Sequence, residues 1–206
     1  MSVRVKICGV TSVDDALLAV DHGADLIGLN FYPPSPRYVS LATAHAIRAV
    51  LPEHVHCVGV FVNAERAHIA DLCSQLRLHA VQFHGDETTT DVQHWSCITI
   101  KALRVPVDGP LPDWQQFPVN YLLLDTLKPG RYGGTGERFS WERLTTLPVD
   151  CRNRLILAGG LTPENVTEAV QAVRPWAVDV ASGVESAPGR KDPEKVRAFI
   201  TNAKTT

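Results

Sequence analysis

Short runs of Val, Ile and Leu alternate with longer stretches whose apolar residues recur every three or four positions, and the alternation repeats about eight times. The apolar runs cover residues 3–8, 25–30, 56–62, 80–83, 98–103, 121–125, 154–158 and 177–180. Near-continuous β-branched and leucine-rich composition is what strands covered on both faces require, as in a parallel sheet. Helix signals fill most of the gaps. Over residues 14–22, Ala16, Leu17 and Val20 make one apolar face, with Thr11 and Ser12 as caps and Gly23 as a stop. Thr162-Pro163-Glu164 supplies a cap, a first-turn proline and a first-turn acid ahead of Val166, Ala169, Val170 and Val173. Asp192-Pro193-Glu194 repeats that start ahead of Val196, Phe199 and Ile200.

Eight units in 206 residues leave about 26 residues each, room for a strand, a turn and a short helix. No Asn-Gly hairpin signature joins neighbouring strands, so right-handed crossovers and a parallel sheet are expected. Such a sheet closes into a (β/α)₈ TIM barrel, with residues 1–206 as a single domain. A doubly wound open sheet would use fewer strands and a Gly-x-Gly-x-x-Gly turn after the first, which is missing. The Pro/Gly-dense stretches 31–37 and 128–136 then become βα loops at the C-terminal face, where these barrels place their chemistry.

Composition narrows the function. With 45% hydrophobic residues the chain can bury a core, and a net charge of −2 argues against binding nucleic acid by bulk electrostatics. No apolar run approaches membrane-spanning length and the start alternates apolar with charged residues, so a cytoplasmic protein is expected. Five scattered cysteines without a CxxC pair predict mostly buried, inert thiols rather than disulfides or a zinc site, so that any reactive one must be singled out by its neighbourhood. Eight histidines without HExxH or His-x-His spacing predict no metal. The four tryptophans show no stacking pattern and are read as packing residues.

Three glycine-rich segments follow late strands: Gly133-Gly134-Thr135-Gly136, Gly159-Gly160 and Ser182-Gly183. Glycine lets backbone N–H groups approach an anion, and barrels build phosphate sites after strands 7 and 8, so a phosphorylated ligand is expected. Cys8 and Asp125 close the first and sixth strands at the same rim, the one a candidate reactive thiol and the other a candidate acid or base. Apolar surroundings should raise the Asp125 pKa, whereas Lys6 or backbone N–H groups should lower that of Cys8. Arg37 sits on a proline-stiffened loop suited to gripping a carboxylate, while His84, ending the fourth strand, reads as a hydrogen-bonding residue. Strand period two points Lys6 the same way as Cys8. The eighth strand neighbours the first in a closed barrel, so Lys6 should pair with Asp179 beneath the site.

The chain also resembles the phosphoribosylanthranilate isomerase family of tryptophan biosynthesis, in order and along nearly its whole length. The resemblance is carried by Val5-Lys-Ile-Cys-Gly9, Phe31-Tyr-Pro-Pro-Ser-Pro-Arg-Tyr38, Val58-Gly-Val-Phe-Val-Asn63, Val81-Gln-Phe-His-Gly85 and Leu123-Leu-Asp-Thr126. Gly133-Gly-Thr-Gly136, Leu157-Ala-Gly-Gly-Leu161, Pro163-Glu-Asn165 and Val178-Asp-Val-Ala-Ser-Gly-Val-Glu185 continue it. It implies a cofactor-free Amadori rearrangement with Cys8 as general base and Asp125 as general acid. Arg37 would face the anthranilate part, and Gln82, Gly133, Gly134, Gly159, Gly160, Asp179, Ser182 and Gly183 complete the substrate-binding set. The implied partner is a small phosphoribosyl molecule, and the expected assembly is a monomer or homodimer. A histidine-pathway isomerase, a pentose-phosphate epimerase and a non-catalytic sugar-phosphate-binding barrel are the alternatives. The concentration of glycine turns in the second half favours one phosphate over two.

Overall fold

The computed structural model describes residues 2–106, 110–126, 141–145 and 147–205. Eight parallel strands close into a barrel in chain order: β1 Arg4–Cys8, β2 Leu26–Asn30, β3 His56–Phe61, β4 Ala80–Phe83, β5 Ile98–Val105, β6 Tyr121–Thr126, β7 Leu155–Leu157 and β8 Ala177–Val180. Pairing of β1 with β8, which sets Lys6 opposite Asp179, completes the closure. All eight expected strands are present, with β5 and β6 running further and β7 shorter than the apolar runs suggest.

Alternation along the strands divides the apolar residues into two cores. Leu26, Val58, Ala80, Ile100, Leu123, Ile156 and Ala177 fill the barrel. Ile7, Ile27, Leu29, Phe61, Val81 and Leu157 face outwards, against a shell of helices. That shell contains α1 Val13–Asp21, α2 Leu41–Val50, α3 Arg66–Leu76, α4 Glu142–Thr145, α5 Val149–Arg152, α6 Val166–Val173 and α7 Pro193–Lys204.

Caps decide where these helices begin. Ser12 Oγ accepts from the Asp15 N–H at 3.1 Å and caps α1, while the Thr11 hydroxyl instead donates to the Gly189 carbonyl. Asp192 accepts from the N–H groups of Glu194 and Lys195, with Pro193 in the first turn of α7. Thr162-Pro163-Glu164 proves to be a turn preceding α6. Asn165 Oδ1 takes the Thr162 N–H at 2.9 Å, and the regular helix starts only at Val166.

Neighbouring barrel strands all pair in parallel, as expected, and two features lie outside that pattern: residues 84–97, between β4 and β5, contain no helix, and beyond β8 a short hairpin pairs β9 Glu185–Ala187 antiparallel with β10 Arg190–Lys191. Arg66 organises the helix-free segment, donating to the carbonyls of Asp91, Gln93 and His94 while its guanidinium lies 4.4 Å from the Trp95 ring centroid. Trp95 packs in turn on Phe83, and Trp176 stacks on Tyr121 with centroids 3.9 Å apart, consistent with packing roles. No described helix is long and apolar enough to cross a membrane.

Candidate active site

The C-terminal ends of the strands converge on one cleft, whose walls include Cys8, Asn30, Arg37, His84, Asp125 and Asp179. Beside it, a second hollow is formed by Gly159, Gly160, Ser182 and Gly183 and shares Asp125 and Asp179 with the first. Two of the three glycine-rich segments therefore meet at one rim. Gly133 and Gly134 lie outside the described residues. Gly159 has φ +84°, and a Cβ there would come within 2.5 Å of the Thr126 backbone nitrogen, so this turn admits only glycine without displacement.

The floor of the cleft is charged. Lys6 is fully buried and donates to Asp179 Oδ1 at 2.9 Å, the pairing expected from strand period and closure. Burial alone would lower the Lys6 pKa, but Asp179 and Cys8 outweigh it and hold the ammonium above its ordinary value. Cys8 lies beside this pair because β2 presents Gly28: a Cβ there would sit 2.8 Å from Cys8 Sγ and 3.2 Å from Lys6 Nζ. The Cys8 pKa is raised, contrary to expectation. Burial pushes the thiol up, Asp179 adds to the shift, and the opposing pull of Lys6 is too small to reverse it. A buried pair broken on one side leaves an unpaired charge. Lys6→Met is expected to destabilise the protein by about 3–5 kcal/mol in urea unfolding, with Lys6→Met/Asp179→Leu recovering much of the loss. A loss below about 1 kcal/mol for the single variant would show that Asp179 finds another partner.

Across the cleft, Asp125 Oδ1 accepts from the Thr126 N–H at 2.8 Å. Its Oδ2 lies 3.6 Å from His84 Nε2, and His84 Nδ1 is 2.8 Å from Gln82 Nε2. With Gln82 donating, Nδ1 is the unprotonated nitrogen and His84 turns its Nε2–H towards Asp125. Gln82 Oε1 is buried without a hydrogen-bond partner among the described residues. The hydrogen-bonding role read for His84 is met by Gln82, and the ring also faces the Asp125 carboxyl group just beyond hydrogen-bond distance.

Arg37 is not a solvated arm. Its Nε and Nη2 make a two-pronged contact with Glu185 at 2.8 and 2.7 Å, leaving Nη1 as the remaining edge of the fork. Glu185 also accepts from Lys191 Nζ at 3.0 Å, and Lys191 donates to the Cys8 carbonyl at 2.7 Å. Burial would raise the Glu185 pKa, but the two cations outweigh it and hold the carboxyl below its ordinary range. Burial dominates at Lys191, whose pKa is lowered despite Glu185. One carboxylate therefore ties the Arg37 loop to the end of β1. Glu185 and Lys191 were missed as site residues. The Pro188-Gly189 turn of the hairpin that carries them was the available signal.

Among the described residues, no group of three or more His, Cys, Asp or Glu side chains is placed to hold a metal ion. A closed parallel barrel gathering a thiol, a carboxyl group and glycine turns at one mouth has the architecture of the (β/α)₈-barrel enzymes. The family model described as N-(5'phosphoribosyl)anthranilate (PRA) isomerase matches residues 5–202. A Pseudomonas fluorescens protein named N-(5'-phosphoribosyl)anthranilate isomerase is 48% identical over 97% of each chain. The crystal structure of phosphoribosyl anthranilate isomerase from Thermotoga maritima superposes with a TM-score of 0.85 at 41% identity, covering 99% of this chain and 100% of that one. A further solved isomerase, in complex with reduced 1-(o-carboxyphenylamino)-1-deoxyribulose 5-phosphate, gives a TM-score of 0.82 at 40% identity with the same coverage. The chain belongs to the N-(5'-phosphoribosyl)anthranilate isomerase family.

Proposed function

We propose that the protein converts N-(5'-phosphoribosyl)anthranilate to 1-(2-carboxyphenylamino)-1-deoxyribulose 5-phosphate in tryptophan biosynthesis. Membership of the family over residues 5–202 carries this reading, and the disposition of Cys8 and Asp125 supports it. The rearrangement opens the furanose ring to a Schiff base, then removes the proton from C2' to give an enolamine that ketonises. It needs an acid at the ring oxygen and a base at C2' of one bound sugar. In our reading Asp125 delivers the proton to the ring oxygen, with His84 orienting its carboxyl group. Cys8, as thiolate, removes the C2' proton.

Gly159, Gly160, Ser182 and Gly183 cradle the phosphate in the neighbouring hollow. Asp179 offers an acceptor to a sugar hydroxyl, whereas Gln82, fully buried, lines neither hollow and reaches the site only through His84. Arg37 Nη1 faces the anthranilate carboxylate, while Glu185 fixes the rest of the guanidinium. Arg37→Ala should raise KM by about 10–100-fold, the loss of one charge-assisted contact, and lower kcat less. If KM and inhibition by anthranilate-bearing analogues both stayed unchanged, Arg37 would have no part in binding.

The reaction itself is tested by loss of anthranilate fluorescence on turnover, with complementation of tryptophan and histidine auxotrophs in parallel. Rescue of the tryptophan auxotroph alone supports the reading, rescue of the histidine auxotroph alone favours the histidine-pathway isomerase, and rescue of neither favours a binding barrel. We take residues 1–206 as one domain acting in the cytoplasm without a cofactor, as a monomer or homodimer, which light scattering distinguishes.

A further inference from the structure

Glu185 is a buried carboxylate at the site to which the rearrangement assigns no step. It is held at both ends. Its backbone carbonyl accepts from Lys195 Nζ at 3.1 Å. Its carboxylate takes Arg37 Nε and Nη2 at 2.8 and 2.7 Å and Lys191 Nζ at 3.0 Å. The hairpin that Glu185 opens also abuts the Arg37 loop. The Gly189 carbonyl accepts from Thr11, and a Cβ at Gly189 would lie 3.0 Å from the Pro36 carbonyl oxygen. Beneath the arm is Gly9, where a Cβ would collide with Arg37 Cδ. Arg37 thus rests where a glycine leaves room, with Nε and Nη2 occupied and Nη1 left over.

We propose that Glu185 is a positioning residue that sets specificity, matching the Arg37 end of the cleft to one singly charged carboxylate and against a second phosphate. The argument is one of charge balance. Arg37 and Lys191 are two cations and Glu185 is one anion, so the cluster carries a single net positive charge. Lys6 and Asp179 cancel at the floor of the cleft. A carboxylate balances the cluster. A phosphate monoester brings about −1.5 to −2 at neutral pH, and its extra charge would meet the Glu185 carboxylate with no free cation to answer it. Lys191 and Glu185 are buried, so salt screens this mismatch little. Geometry acts in the same direction, because a fork already bound through two of its nitrogens keeps few donors for three phosphate oxygens. The cost is imposed on the wrong ligand rather than removed from the right one. The inference rests on the reading that Arg37 faces the anthranilate carboxylate, which Arg37→Ala tests separately.

Three ligands measure the effect by competitive inhibition: ribulose 5-phosphate, ribulose 1,5-bisphosphate and reduced 1-(o-carboxyphenylamino)-1-deoxyribulose 5-phosphate. With the unsubstituted protein, the bisphosphate should bind no more tightly than the monophosphate. Glu185→Gln keeps the side-chain shape and frees one positive charge. There the affinity for bisphosphate relative to monophosphate should rise by about 10–100-fold, with ribulose 5-phosphate itself within about threefold of its original affinity. Glu185→Asp, which keeps the charge, should leave the ratio low. Glu185→Gln/Lys191→Met restores one net positive charge and should lower it again. A purely structural role would instead weaken all three ligands together and leave the ratio unmoved. An unmoved ratio in Glu185→Gln would overturn the inference. So would a bisphosphate bound more than about tenfold tighter than the monophosphate by the unsubstituted protein, a result that needs no variant to fold. Weakened binding of the carboxylate-bearing ligand in Arg37→Ala, beside an unmoved ratio in Glu185→Gln, would defeat the inference alone. Unchanged binding of that ligand in Arg37→Ala would defeat the reading of Arg37 and the inference with it.

Discussion

Cys8→Ala is expected to lower turnover by about 10²–10⁴-fold, the usual cost of removing a general base, while the protein remains folded. The thiol lies beside the Lys6–Asp179 pair over Gly28, so alanine removes the sulfur while the direct Lys6–Asp179 contact remains to hold the floor of the cleft. The pH profile supplies a second signature. Burial raises the Cys8 pKa above the ordinary 9.0, so the thiol predominates at neutral pH. The active thiolate fraction then grows about tenfold per pH unit below that raised value. Turnover also needs the Asp125 proton, so the pH profile of kcat/KM reports the two groups jointly, and the ionisation that belongs to Cys8 should be missing from the residual activity of Cys8→Ala. Near-normal turnover of the folded variant would remove Cys8 from the base role.

Asp125→Asn should cost a similar 10²–10⁴-fold, through a different step. The amide keeps the shape of the carboxyl group and can still accept the Thr126 N–H through its oxygen, but it has no acidic proton for the ring oxygen. Ring opening should slow while ligand binding survives, because the phosphate hollow is built mainly from backbone around Gly159, Gly160 and Gly183. Inhibition by a ribulose 5-phosphate derivative measures that binding. Unchanged inhibition with collapsed kcat is the expected outcome. Turnover within about threefold of the unsubstituted protein would return Asp125 to a structural role.

The two long-range charge pairs show why one part of the site was legible and another was not. Lys6 and Asp179 are 173 residues apart in the chain, yet their contact was expected. Both lie on strands, where period two fixes which way a side chain points, and barrel closure makes β8 the neighbour of β1. Arg37 and Glu185 are 148 residues apart and gave no such warning. Arg37 lies on a loop folded by Asn30 and Ser35, whose side chains hydrogen-bond to each other and to the backbone of Tyr32 and Arg37. Glu185 opens a hairpin too short to show a strand pattern. The 84–97 segment was similarly opaque, because its stability comes from Arg66 on another element.

The apolar pattern and the count of units by themselves determined the eight strands, their closure and the placement of Cys8 and Asp125 at one rim. All of these follow from local periodicity and the burial of apolar surface. Tertiary structure alone decided that Glu185 holds Arg37, that His84 faces Asp125, and that burial prevails over Lys6 at the Cys8 thiol. Each depends on distances and desolvation between groups far apart in the chain, and neither quantity exists until the barrel has closed.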